Sequence, residues 1–132
     1  MRLRNVLFGT LSLAFFVCLL FGVAVVVRVS GLEGACNSAG AWGMSVPAGV
    51  SVIALFLVGI LFFREWRQDQ TQLALLPWIL LMAAGGSNLL ERLYFGCVMD
   101  YVRWLALPAF NLADVVLTVS VVFLVVKGYK HD

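Results

Sequence analysis

Asp100 and Asp114 are the residues of this chain best suited to do chemistry, and they stand among other polar residues of the same region: Asn37, Asn88, Glu91, Arg92 and Asn111. Two carboxylates brought close cannot both ionise easily, so they hold one proton between them. One then acts as a base on water while the other polarises a carbonyl, which hydrolyses an amide without a metal or a Ser or Cys nucleophile. The pairing depends on the loop from Leu93 to Pro108, whose apolar content predicts that it folds back and brings Asp100 to face Asp114. Each acid also has a plainer reading. Asn111 has the character of a helix N-cap, and Asp114 in the first turn after it would complement the helix dipole and bond back to the cap. Asp100 would then be a solvated loop residue, and Glu91-Arg92 an interfacial pair that ends a helix. Rival chemistries find little support. The lone His131 lies in a charged tail, no His-Glu-x-x-His or phosphate-binding Gly loop occurs, and Cys18, Cys36 and Cys97 fit no metal spacing. No metal and no cofactor are expected. Cys18 reads as a packing residue, while Cys36 and Cys97 are either bridged or two free small residues.

The elements that must position these groups follow from composition. Of 132 residues, 63% are hydrophobic and 12% charged, with a mean hydropathy of +1.02. A soluble domain is about half apolar and about a quarter charged, so this chain must face lipid. Composition disfavours a soluble enzyme, a nucleic-acid binder, a disordered tail and a disulfide-framework miniprotein. Stretches free of charge, and for the last the apolar run that follows Pro108, predict four transmembrane helices over about 5–27, 47–63, 72–91 and 111–127, each near the length needed to span a bilayer. Pro77 falls early in the third, where a missing donor is best tolerated, and Gly85-Gly86 predicts a close helix contact. Arg2, Arg4, Arg64, Arg67, Lys127 and Lys130 fall on one side and Arg28, Arg92 and Arg103 on the other, which places both termini in the cytoplasm. Trp42 and Trp104 then mark the outer boundary, and Trp66 and Trp78 the inner one. The first apolar run exceeds the roughly 7 to 15 residues of a signal-peptide core, so a retained helix is expected. Glu33 spoils a lipobox at Leu32–Cys36. The fold class is therefore an all-α integral membrane protein, residues 1–132 forming a single four-helix membrane domain with a small extracytoplasmic loop region between helices 1 and 2.

The segments Asn88-Leu-Leu-Glu91-Arg92, Gly96-Cys-Val98-Met-Asp100-Tyr101 and Phe110-Asn111-Leu112-Ala113-Asp114 resemble those of lipoprotein signal peptidase (signal peptidase II). The order and spacing of the Asn, the Arg, the Asp and the closing Phe-Asn-x-Ala-Asp carry the resemblance. Asn37-Ser-Ala-Gly-Ala41-Trp42-Gly43 is similar to the family's Asn-x-Gly-Ala-Ala-Phe in its first outer loop. The resemblance implies an intramembrane aspartic endopeptidase of the bacterial inner membrane, with its site on the extracytoplasmic side. It would cut diacylglyceryl prolipoproteins just before the lipidated cysteine. Asp100 and Asp114 would be catalytic; Asn37, Asn88, Arg92 and Asn111 would hold substrate or order the pair; residues 29–46 would clamp over the substrate. Its partners would be the prolipoprotein and membrane lipid, with no nucleic acid, and a monomer would suffice. The chain departs from the family at Ser87 and Ser120, where Gly is usual, and at Glu91, where Asp is usual. Ala24 and Arg28 replace an Asp and a Lys at the outer end of the first helix, and the outer loop is short.

Two further readings accompany this one. A proteolytically inactive homologue would still bind lipidated peptides. A four-helix transporter or assembly subunit would place an ionisable residue near mid-membrane, whereas here the acids cluster towards one boundary.

Overall fold

Apolar residues on every face make α1 (Leu3–Val29) a helix with no polar side to turn to water. The computed structural model describes residues 3–38, 48–68 and 71–129, with the side chains of Ala48 and Tyr129 left aside. Trp42, most of the expected clamp over 29–46, Pro47, and the tail residues Lys130 and His131 lie outside the described residues, as does Arg2. The remaining helices are α2 (Ala48–Arg67), α3 (Gln72–Phe95) and α4 (Leu112–Tyr129). Among the described residues three stretches, Leu3–Val29, Gly49–Arg67 and Gln72–Phe95, are long and apolar enough to cross a membrane. Both α2 and α3 run a turn or so beyond their expected ends, because Arg64, Arg67 and Arg92 favour the negative end of a helix dipole.

The hub is α3, which packs against each of the other three helices. Thr71 caps its start by accepting the Ala74 N–H at 3.3 Å, and Gly96 ends it in the left-handed region at φ 80° while donating to Arg92 O. Small residues let the neighbours approach. Ala83 and Ala84 meet Leu20 of α1 and Ala113 of α4 in one buried cluster. Leu55 of α2 lies so close to Gly85 that a Cβ there would come within 2.8 Å of Leu55 Cδ1, the tight contact expected at Gly85-Gly86. A second cluster, Phe62, Leu75 and Ile79, binds α2 to α3 beneath Trp66 and Trp78, and Trp66 also covers Gly9 of α1. Most of the large apolar side chains of α2 are exposed, Phe56 and Ile53 among them, as a lipid-facing helix requires. Cys18 is exposed as well, not packed as expected, since its neighbour Val17 takes the inward position.

The expectation of an all-α fold is corrected at one end of the bundle. There β1 (Ala35–Asn37) pairs antiparallel with β2 (Val98–Asp100), in the register Ala35↔Asp100, Cys36↔Met99 and Asn37↔Val98. The Gly96 cap frees the chain from α3 just before β2. Beyond it, a bridge between Val102 and Phe110 folds the loop back on itself, with Val102 N donating to Phe110 O at 2.8 Å and Phe110 N to Val102 O at 3.0 Å. The loop thus returns Asn111 to the side of Asp100.

Candidate active site

Alternation along β2 buries Val98 and Asp100 and leaves Met99 on the other face. Asp100, 2% exposed, therefore points into the bundle end. Its Oδ2 accepts Asn37 Nδ2 at 3.0 Å and its Oδ1 accepts Asn111 Nδ2 at 3.0 Å. Asp114, 1% exposed, is reached from the same asparagine: Asn111 N donates to Asp114 Oδ2 at 3.3 Å. Its Oδ1 accepts Asn88 Nδ2 at 3.2 Å, and Asn88 in turn accepts Asn111 Nδ2 at 3.4 Å. Asn111 thus spans the two carboxylates, and Asn37, Asn88, Asp100, Asn111 and Asp114 form one network.

The plainer reading of Asp114 also holds in part. Asn111 Oδ1 accepts Asp114 N at 2.9 Å while Asp114 Oδ2 accepts Asn111 N, a reciprocal capping box at the start of α4. Only one carboxylate oxygen is engaged in it. The other accepts from Asn88, so capping orients Asp114 and leaves an oxygen outside the cap. Asp100 is not the solvated loop residue of the alternative. Burial pushes its carboxyl above the ordinary value of 3.8, offset in part by the Asn37 and Asn111 amides and by the positive charge of Arg92.

Arg92, Asn88 and Ser51 line a cavity of about 280 Å³ between α2, α3 and α4, whose other walls are apolar, among them Leu55, Leu81, Leu117 and Val121. Such a groove suits an apolar chain with a polar end beside Arg92 and Asn88, the residue that donates to Asp114. Arg92→Ala is expected to lower cleavage by at least about tenfold, the scale of one contact to a charged group. Steady-state kcat and KM would show whether binding or turnover is lost, and no change would remove Arg92 from the site.

Two residues that the sequence placed on the periphery belong to the support of the site. Glu91, read as half of an interfacial pair with Arg92, is 2% exposed and instead pairs with Arg28 of α1, Nη2 to Oε2 at 3.0 Å. The same Oε2 accepts Met99 N of β2 at 3.2 Å, and Arg28 also donates to Cys97 O. Arg28 lies over the Phe95 ring, 4.3 Å from its centroid. The substitutions at Arg28 and Glu91 are thus two ends of one contact, which holds the first helix despite the missing acid at Ala24. Ser120, where Gly is usual in the resemblance, is buried but bonds Val116 O at 2.7 Å. Cys36 and Cys97 are bridged, with Cα atoms 5.5 Å apart, which settles that alternative.

A bundle of lipid-facing helices that buries a carboxylate pair under asparagines at one end defines a multi-pass membrane protein with a built polar site. Residues 16–130 match the family model described as Signal peptidase (SPase) II, and this chain belongs to that family. It is a membrane protease. A lipoprotein signal peptidase of Pelodictyon phaeoclathratiforme is 26% identical over 125 residues, covering 82% of this chain and 73% of the relative. One of Wolinella succinogenes is 41% identical over 68 residues, 49% of this chain and 47% of the relative. The second match therefore spans about half of each protein. In architecture the chain is similar to a bacterial membrane enzyme solved by the in meso method at 2.3 Å resolution, with a TM-score of 0.75 at 20% identity over 92% of this chain and 87% of the other.

Proposed function

We propose that this chain is an intramembrane aspartic endopeptidase that removes the signal peptide from diacylglyceryl-modified prolipoproteins just before the lipidated cysteine. The observation that carries the reading is Asn111, which donates to Asp100 through Nδ2 and to Asp114 through its backbone N–H, two nearly inaccessible acids at one bundle end. In the working site one carboxylate is ionised and takes a proton from an attacking water. The other, protonated, donates to the scissile carbonyl oxygen and stabilises the charge that develops there. Collapse of the tetrahedral intermediate returns a proton to the leaving amide nitrogen. The Asn37, Asn88 and Asn111 amides hold the carboxylates in place between these steps.

On this reading α4 is the fourth span, residues 1–132 form one four-helix membrane domain, and both termini face the cytoplasm of the bacterial inner membrane. The positive residues at the inner ends support that orientation, and the Cys36–Cys97 bridge supports an oxidising compartment on the side of the site. The acyl chains of the substrate would stay among membrane lipid, and the complete network within one chain makes a monomer sufficient. A transporter would need acids along the bundle, whereas Asp100, Asp114 and Glu91 gather at one end.

The test is cleavage of a diacylglyceryl prolipoprotein by the purified protein in detergent with divalent metals chelated. Cleavage before the lipidated cysteine supports the proposal, while lipopeptide binding without cleavage would mark an inactive homologue. The dependence on pH follows from the raised Asp100 carboxyl. A proton held above the ordinary range is lost only at higher pH, so kcat/KM should fall as pH rises through an upper limb lying above the usual carboxylate value of about 4. Asn37→Ala removes a donor that favours the ionised form. It should move that limb further up, and an unmoved profile would count against the Asn37 contact.

A further inference from the structure

The contact between Asn37 and Asp100 depends on a small ribbon. β1 and β2 have three residues each, and a two-stranded pairing is at best marginal by itself in water. β2 is secured from α3 through Met99 N on Glu91, and the residue before it is secured from α1 through Cys97 O on Arg28. In β1, Ala35 and Cys36 are exposed. At Gly34 it approaches β2 so closely that a Cβ would come within 2.5 Å of Met99 Sδ.

Alternation gives the ribbon two faces. On the inner face Asn37 and Asp100 are diagonal neighbours in the register, which lets Asn37 Nδ2 reach Asp100 Oδ2 at 3.0 Å. On the outer face Cys36 is diagonal to Cys97, and the two are joined. The covalent link therefore lies across the same strand pair as the hydrogen bond to Asp100, one residue from Asn37. We propose that the Cys36–Cys97 bridge is a redox-sensitive positioning device: closed, it holds Asn37 against Asp100, and opened, it lets β1 leave and strips the site of that donor. The catalytic consequence rests on the assignment of Asp100 above.

Opening is a thiol–disulfide exchange with a small or protein dithiol. A thiolate of the dithiol attacks the sulfur of exposed Cys36, the Cys36–Cys97 bond breaks, and Cys97 leaves as a thiolate that takes up a proton. The second thiol of the dithiol then resolves the mixed disulfide at Cys36. Two electrons and two protons have passed to the cysteine pair, and the dithiol has become a disulfide. Closure is the reverse exchange with a disulfide donor. Cys97 is 4% exposed, so the accessible end of the bond is Cys36.

The experiment uses the whole purified protein in detergent, oxidised or treated with dithiothreitol, with alkylation and intact mass reporting the state of Cys36 and Cys97. Three quantities are read: cleavage of a diacylglyceryl prolipoprotein, its pH profile, and amide hydrogen exchange at 35–37 and 98–100. Reduction should lower cleavage about tenfold, the scale of a hydrogen bond to a charged group. It should also move the upper pH limb as Asn37→Ala does and unprotect the ribbon while α3 and α4 keep their protection. Oxidised glutathione should restore all three, and the Cys36→Ser/Cys97→Ser protein should behave as reduced and ignore dithiothreitol. Unchanged cleavage and pH profile after both thiols are shown to be free would overturn the proposal, as would both cysteines alkylating without reductant. Should the oxidised parent cleave nothing, the assigned activity fails on its own. The exchange arm still decides the device: ribbon protection lost on reduction upholds it, and protection kept overturns it.

Discussion

Asp114→Asn is expected to abolish cleavage, by about a thousandfold or more, because a positioned general acid or base contributes on the order of 10² to 10⁴ and the paired acid cannot work alone. The substitution is informative because it spares the cap. An asparagine oxygen can still accept Asn111 N, as Asp114 Oδ2 does now at 3.3 Å, so α4 keeps its start. The amide nitrogen would then face the Asn88 Nδ2 donor that Asp114 Oδ1 accepts at 3.2 Å, and the neighbouring asparagines must adjust. A residue that served only as a cap would show a stability loss of about 1 kcal/mol and full activity. Asp100→Asn should be equally inactive for a related reason. Both its oxygens accept amides, from Asn37 and from Asn111, and an asparagine can accept at only one of them. Turnover of a lipidated prolipoprotein, read beside thermal unfolding in the same detergent, separates these cases. Normal turnover by either variant ends the paired-acid mechanism.

Arg28→Ala should produce the largest loss of stability among single substitutions considered, about 3 to 5 kcal/mol, because it leaves a buried carboxylate without its partner. Glu91 is 2% exposed and Arg28 only 15% by side chain, so solvent screens little of the pair. The contact also ties three elements: α1 through Arg28, α3 through Glu91, and β2 through Met99 N, with Cys97 O held just before that strand. Cleavage should therefore fall together with stability, since β2 carries Asp100. Glu91→Gln is expected to be milder, as the amide oxygen can still accept Met99 N. Pairing Arg28→Met with Glu91→Leu should recover much of the stability by removing both charges at once, without restoring the bond to Met99. Denaturation in detergent, arranged as a double-mutant cycle, measures the coupling. Additive effects of the two single substitutions would show that the pair holds nothing together.

The helices and the local chemistry at the start of α4 were legible without coordinates. Charge-free stretches placed α1 to α3, the apolar run after Pro108 placed α4, and Asn111 with Asp114 announced a cap whose two halves do bond each other. The apolar loop after α3 was expected to fold back, and it does so through the Val102–Phe110 bridge. The polar residues themselves pointed to Asp100 and Asp114, and resemblance to a known family added roles for Asn37, Asn88, Arg92 and Asn111. The reading failed where long-range partners decide a residue's role. Glu91-Arg92 looked like neighbours ending a helix, but residues adjacent on a helix point in different directions, and Glu91 turns to α1 while Arg92 lines the groove. The all-α expectation missed the ribbon because strands of three residues leave almost no period-two signal.

What the sequence by itself determined is that this chain lives in lipid, in apolar helices with a polar end, and that Asp114 sits one turn after its cap. Those properties are written in neighbouring residues: hydropathy over a span, and side chains three positions apart on one helix face. Only the tertiary structure decided that Asn37 serves Asp100, that Arg28 answers Glu91, and that Cys36 joins Cys97. Each contact links α1 or the strand after it to the far end of α3 or the strand that follows. It exists because small residues of α3 let α1 pack close, at a depth and rotation that hydropathy does not encode.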